Sequence, residues 1–248
     1  MLARWIVLIV SAFKSNHVIL KRPSASRGRT EAGLRRSRHT FSFGDYFDPD
    51  RMGFRTLRVI NEDIVEAGGG FSMHEHHDIE IFNYVIEGEL GHRDSLGNVS
   101  VIQAGNLQYI SAGTGIAYSE YNNSPTEPVH FLQIWLHPIR EGLPPDYAQE
   151  SFSNTPPSGL TLACSADGRA GSMTINQDVE LFIGRVDPKE KVSHPLGEQR
   201  HAWIQLIEGD IDLKGHNLTA GDGASIDSEN EIRLRSEKGA HFLLFDLH

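Results

Sequence analysis

Tyr84-Val-Ile-Glu-Gly-Glu-Leu90 comes back later in the chain as Gln205-Leu-Ile-Glu-Gly-Asp-Ile211. Each is a β-favouring run closed by an acid-glycine-acid turn signal. Two further echoes occur in the same order. Ala104-Gly-Asn106 returns as Ala220-Gly-Asp222, and His130-Phe-Leu-Gln-Ile-Trp-Leu136 returns as His241-Phe-Leu-Leu-Phe-Asp-Leu247. Three ordered matches make an internal repeat, so two similar β units are predicted in tandem, joined near residues 140 to 160. The second unit is shorter between matches, as a trimmed loop would make it.

Outward from the repeat, short β-rich runs alternate with turn signals from Phe54 onward. They include Thr56–Ile60, Ile81–Ile86, Val99–Ile102, Leu107–Ile110 and Val129–Leu136. This is the pattern of an all-β sandwich or barrel. No long stretch carries a clean helical period. Tyr147–Phe152 reads as a short helical turn in a proline-rich connector running from Pro138 to Pro157.

The chain has 248 residues, with 33 Asp+Glu against 23 Lys+Arg and a formal charge of −10. An acidic balance argues against direct nucleic-acid binding, which needs a basic face. One cysteine, Cys164, excludes an internal disulfide and a cysteine-rich zinc site, and makes a reducing, cytoplasmic setting the default. Thirteen histidines direct any metal chemistry towards imidazole and carboxylate ligands. There is no phosphate-cradling loop, dinucleotide fingerprint or serine nucleophile elbow. The apolar run Trp5–Phe13 is too short to span a bilayer, and no small-residue cleavage site follows it; secretion is the minor reading. Lys21–Arg38 is basic but broken by Pro23, Gly28 and Gly33, and reads as a solvated N-terminal arm.

The candidate chemistry sits in the first unit. In Gly68-Gly-Gly-Phe-Ser-Met-His74-Glu-His76-His77, alternation on a strand turns His74 and His76 to one face, and Glu75 and His77 to the other. The glycine run lets the chain approach closely at a barrel mouth. Downstream, Tyr118 and Glu120 share a face by the same parity. If the two strands are neighbours, His74, His76 and Glu120 form a two-histidine, one-carboxylate facial triad with open positions. His92-Arg93-Asp94 runs into Asp-Ser-Leu-Gly-Asn and reads as hairpin chemistry. His194, His201, His216 and His241 are scattered singly through the second unit, which is read as metal-free.

Several segments together resemble the pirin family. They are Arg38-His-Thr-Phe-Ser-Phe-Gly-Asp-Tyr-Phe-Asp-Pro49, Leu57-Arg-Val-Ile-Asn-Glu-Asp63, the His-x-His segment, Glu87-Gly-Glu-Leu-Gly-His-Arg-Asp-Ser-Leu-Gly-Asn98, Ser111-Ala-Gly-Thr-Gly115, Ser119-Glu-Tyr-Asn122 and Gln133-Ile-Trp135. The resemblance runs from about Val18 to the C-terminus, and implies two tandem cupin barrels, a bicupin. On that basis residues 1–17 are an extension, 18–140 the N-terminal cupin with the metal site, 141–160 a connector and 161–248 the C-terminal cupin. It also implies one mononuclear metal, iron before nickel, manganese or copper, held by three histidines and a glutamate. Some bacterial members resemble quercetin 2,3-dioxygenases, which open a flavonol ring with oxygen; eukaryotic relatives act as nuclear transcriptional cofactors.

By position His74, His76 and Glu120 match three ligands, but the family's third histidine falls at Tyr118. Three readings stay open. The remaining three residues hold metal with one more open position; or Tyr118 is itself an oxygen ligand, as phenolates are to ferric haem; or the site is silenced. His77 and His130 are candidate substitutes, the first with the wrong parity. Two functions follow: a quercetinase-type dioxygenase with Glu120 as the base taking the flavonol hydroxyl proton, or a non-catalytic metal- or redox-responsive regulatory module. The expected partner is a flavonol-like small molecule, with no membrane and a monomer as default.

Overall fold

A computed structural model describes residues 19–248. The apolar run Trp5–Phe13, the extension over residues 1–17 and Val18 lie outside the described residues. Among those described, helix is confined to two three-residue 3-10 turns, Ser24–Ser26 and Arg169–Gly171. The other regular structure among the described residues is β-strand.

The first unit pairs two sheets. The larger has seven strands, in the order Asp146–Ser151, Asn106–Ser111, Glu80–Glu87, Val129–Leu136, Leu57–Val65, Arg35–His39 and Gly28–Ala32. The smaller has four: Gly70–His76, Ile116–Asn122, Glu89–Asp94 and Val99–Gln103. The second unit forms a ten-stranded sheet around Val179–Val186, His201–Leu213 and Ala240–Leu247. The repeat is visible in this layout: Glu80–Glu87 pairs with Val129–Leu136 as His201–Leu213 pairs with Ala240–Leu247.

Strand pairing crosses the boundaries drawn from sequence. Ile19–Arg22 does not open the first barrel; it pairs with Gly223–Ile226 of the second. Lys21 adds an ion pair to Asp222 at 2.8 Å. The helical turn expected at Tyr147–Phe152 is instead the strand Asp146–Ser151. The reason is tertiary: the edge of Asn106–Ser111 leaves backbone donors and acceptors that this segment satisfies, residue against residue. The basic arm is also corrected. It folds into Gly28–Ala32 and Arg35–His39, and Arg27, just before the first of them, is buried and ion-paired to Glu62 at 2.5 Å. A guanidinium buried against a carboxylate cannot be recognised from local sequence, because its partner lies 35 residues away.

The large sheet is buried on both sides. On Val129–Leu136, Leu132, Ile134 and Leu136 face the second unit while Phe131, Gln133 and Trp135 face the barrel interior. Leu132, Ile134, Phe82 and Tyr84 pack with Leu181, Ile183, Leu243 and Phe245 of the second unit in one continuous core. Each such side chain contributes about 1.5–3 kcal/mol on burial, so the two units share their stability. Polar ties cross the same seam. Tyr84 and His241 share a buried hydrogen bond at 3.0 Å, and the Asn176 backbone N–H donates to Glu80 at 2.7 Å.

Candidate metal centre

The interior face of the large sheet carries an unusual polar row. Successive cross-strand partners are His39, Asn61, Gln133, Asn83, Gln108 and Gln149. Apolar residues close the barrel on one side of this row: Val65, Val85, Leu90, Ile102 and Phe131. On the other side lie Ile81, Ile110 and Ile116. A belt of buried amides between two apolar layers is costly unless each is bonded. Here Asn61 bonds His39, Asn83 bonds Gln108, and Asn83 and Gln133 both bond a carboxylate.

That carboxylate is Glu120, 1% exposed. The Asn83 side-chain amide donates to one of its oxygens, and the Gln133 amide donates to the other at 2.9 Å. Asn83 also donates to Gln108 at 2.8 Å, and the Trp135 indole donates to Gln133 at 3.2 Å. Both amides are therefore fixed from behind. Burial pushes the Glu120 carboxyl up to about 8; the Asn83 hydrogen bond pulls the other way, the Asp63 charge adds to the rise and Gln133 opposes it.

The small sheet supplies the imidazoles. His74 and His76 are half-buried on one face and Glu75 between them is exposed, as parity requires. Tyr118 sits directly across from His74 in the neighbouring strand. The ring centroids are 4.9 Å apart for His74 and His76, 4.7 Å for His74 and Tyr118, and 5.5 Å for His76 and Tyr118. His74 Nδ1 shares a hydrogen bond with the Ser72 carbonyl at 2.8 Å. The carbonyl can only accept, so Nδ1 carries the proton and Nε2 keeps its lone pair. His76 is held down to about 4 by burial and by the neighbouring His74 and His77. It is a neutral ring, ready to donate a lone pair.

The two strands are neighbours, and Tyr118 and Glu120 are both buried on one face. A register shift falls between Tyr118 and Glu120, which sets Glu120 opposite Phe71 in the paired strand. Among the described residues no three His, Cys, Asp or Glu side chains come together as a metal-holding group. The structure joins His74, His76 and Tyr118 and places Glu120 further along the same strand. The two candidate substitutes are elsewhere. His77 leaves the face and lies over Gly115, and His130 bonds Glu62 at 3.0 Å.

His92 is the residue that sequence reading missed. Asp94 does cap the expected turn, accepting from the Leu96 and Asn98 backbone N–H groups at 2.9 Å each. Yet His92 is fully buried, opposite Glu120, with its ring 5.8 Å from Tyr118 and stacked 5.2 Å from Tyr147. The parity of Glu89–Asp94 was readable; which sheet it met was not.

The residues fit a metal by their unmet bonding. The His76 Nε2, Tyr118 hydroxyl and His92 Nδ1 are all buried without a hydrogen-bond partner among the described residues. Such orphans are rare in native proteins and call for an unseen partner. The N,N,O donor set suits a first-row transition ion. In the second unit, His194 pairs with Asp246 at 2.7 Å and His201 with Asp227 at 2.6 Å. Cys164 is free and buried, and burial holds its thiol well above the ordinary value.

Known proteins agree with this architecture. The pirin family profile matches residues 21–136, and a profile described as the quercetinase C-terminal cupin domain matches residues 162–247. A quercetin 2,3-dioxygenase of Escherichia coli strain K12 is 42% identical over 230 residues, covering 93% of this chain and 99% of that protein. The crystal structure of YhhW from Escherichia coli superposes with a TM-score of 0.90 at 42% identity, covering 93% and 97% of the two chains. A second structure of that bacterial pirin, in complex with nickel(II), superposes with a TM-score of 0.89 at 42% identity over 92% of this chain and 98% of that one. The repeat, the paired barrels and this similarity along nearly the whole length lead to one conclusion: the chain belongs to the pirin family.

Proposed function

We propose that the first barrel is a mononuclear metal centre that oxygenates a flavonol-like aromatic substrate, with His74 and His76 as nitrogen donors and Glu120 as the base. The observation that carries the reading is two imidazoles turned to one strand face in the barrel that also holds a buried carboxyl oriented by two fixed amides. The quercetin 2,3-dioxygenase relative supports the substrate class, and the nickel-bound pirin supports a metal. When bound, the metal supplies a redox-active centre where an electron-rich phenolic ring and dioxygen meet.

The chain's own groups account for the rest. Glu120 is poised near 8, where a base exchanges a proton with an acidic enolic hydroxyl close to neutral pH. Asn83 and Gln133 keep both carboxylate oxygens in place as the charge changes. Ile110, Ile116 and Trp135 line the surroundings with apolar surface, which limits water and strengthens each polar contact. Aerobic incubation of metal-loaded protein with quercetin tests the proposal. Equimolar oxygen uptake and carbon monoxide release are expected; absence of turnover with iron, nickel, manganese and copper alike would refute it.

One observation favours a second reading, a metal-responsive binding or regulatory module. By the family resemblance, Tyr118 falls where a third histidine is expected. Metal binding by the parent without turnover, and turnover gained by Tyr118→His, would select that reading.

A further inference from the structure

We propose that Tyr118 is itself a metal ligand, its phenolate oxygen standing beside His74 and His76 as the third donor and biasing the centre towards iron(III). The inference rests on the reading above that the first barrel holds a metal.

The argument starts from cost. Tyr118 is 0% exposed, and its hydroxyl has no partner among the described residues. A buried hydroxyl left unbonded is destabilising, whereas phenylalanine would fill the same space without that loss. Packing therefore explains the ring but not the oxygen. The Glu120 carboxyl offers no relief: its hydrogen bonds run to the Asn83 and Gln133 amides, and none runs to the Tyr118 hydroxyl. His92 offers none either: its Nε2 bonds Asp94 at 3.1 Å, and its Nδ1 is unbonded like the phenol.

Position completes the argument. Tyr118 lies directly opposite His74 in strand register, and its ring packs against both His74 and His76. His76 Nε2 is a second buried atom without a partner in the same cluster. A cation bound by both would give the phenol oxygen and the imidazole nitrogen the partner each lacks. On coordination the phenol O–H bond breaks, the oxygen keeps the electron pair and binds the cation, and the proton passes to solvent. No electron is transferred when the ion added is already iron(III). An anionic oxygen donor favours a hard trivalent ion, while an imidazole at the same place suits nickel(II).

Chelator-treated protein, reloaded with iron(III), provides the test. The parent is expected to bind about one iron and show the visible tyrosinate-to-iron(III) charge-transfer absorption, with tyrosinate ring modes in resonance Raman. Tyr118→Phe should keep its melting temperature, lose both signatures and bind iron(III) at least ~10-fold more weakly, or ~1.4 kcal/mol. Tyr118→His should lose the signatures and gain affinity for nickel(II). Iron bound by the parent without these signatures, or signatures that survive in Tyr118→Phe, would overturn the ligand assignment and leave the metal centre standing. A parent that takes up neither iron nor nickel would overturn both.

Discussion

Glu62→Gln removes a single charge outside the metal centre and should be among the most damaging isosteric changes in the chain. The Glu62 carboxylate accepts from Arg27 at 2.5 Å and bonds His130 at 3.0 Å. Burial alone would raise its pKa, but the His130 hydrogen bond and the Arg27 charge outweigh that and hold it down to about 2, from an ordinary 4.5. That difference corresponds to about 3 kcal/mol of stability at neutral pH. Because the folded pKa is depressed, the contribution is complete above about 4.5 and is lost as pH falls towards 2. The partner responds differently: burial pulls the Arg27 guanidinium below its ordinary value even with Glu62 beside it. The pair therefore gains little over an apolar pair, and the damage comes from breaking it, about 3–5 kcal/mol when one buried charge is left alone. Arg27 also donates to the Arg38 carbonyl at 3.0 Å and the Gly221 carbonyl at 3.2 Å, so it ties the basic hairpin to the second unit. Urea unfolding at pH 7 should show Glu62→Gln destabilised by about 3 kcal/mol or more, and the gap to the parent should narrow as pH falls below about 4.5 towards 2. The double change Arg27→Met with Glu62→Leu should cost less than the single. A loss below about 1 kcal/mol, or a double variant worse than the single, would refute the reasoning.

Other consequences are as direct. Metal-free protein at pH 7 should show the infrared carbonyl band of a protonated carboxylic acid from Glu120, which stands near 8; Glu120→Gln should abolish the band. Leu243→Ala opens a cavity in the core shared by both units and should cost about 2–5 kcal/mol. Calorimetry of that variant should still show one transition, because neither unit buries this face alone; separate melting of the two barrels would contradict a shared core.

Much of the fold was legible because β structure writes itself with a period of two. Val129–Leu136 was bounded from its residues alone, and the three ordered echoes predicted two units before any pairing was known. Parity also placed His74 with His76, and Tyr118 with Glu120. Register was not legible in the same way. The shift between Tyr118 and Glu120 sets Glu120 opposite Phe71, and local sequence carries no mark of it. The rest was hidden by distance along the chain. Asn83 and Gln133 read as ordinary strand residues, yet they fix Glu120 from strands that only the folded barrel brings near. Ile19–Arg22 closes the far barrel for the same reason: its partner Gly223–Ile226 lies at the other end of the sequence.

The central claim, that His74 and His76 anchor a metal in the first barrel, is tested most directly by elemental analysis. Protein purified without added metal should carry close to one transition-metal ion per chain, and His74→Ala prepared in parallel should carry almost none. Little metal in both proteins, even after reconstitution, would contradict the claim.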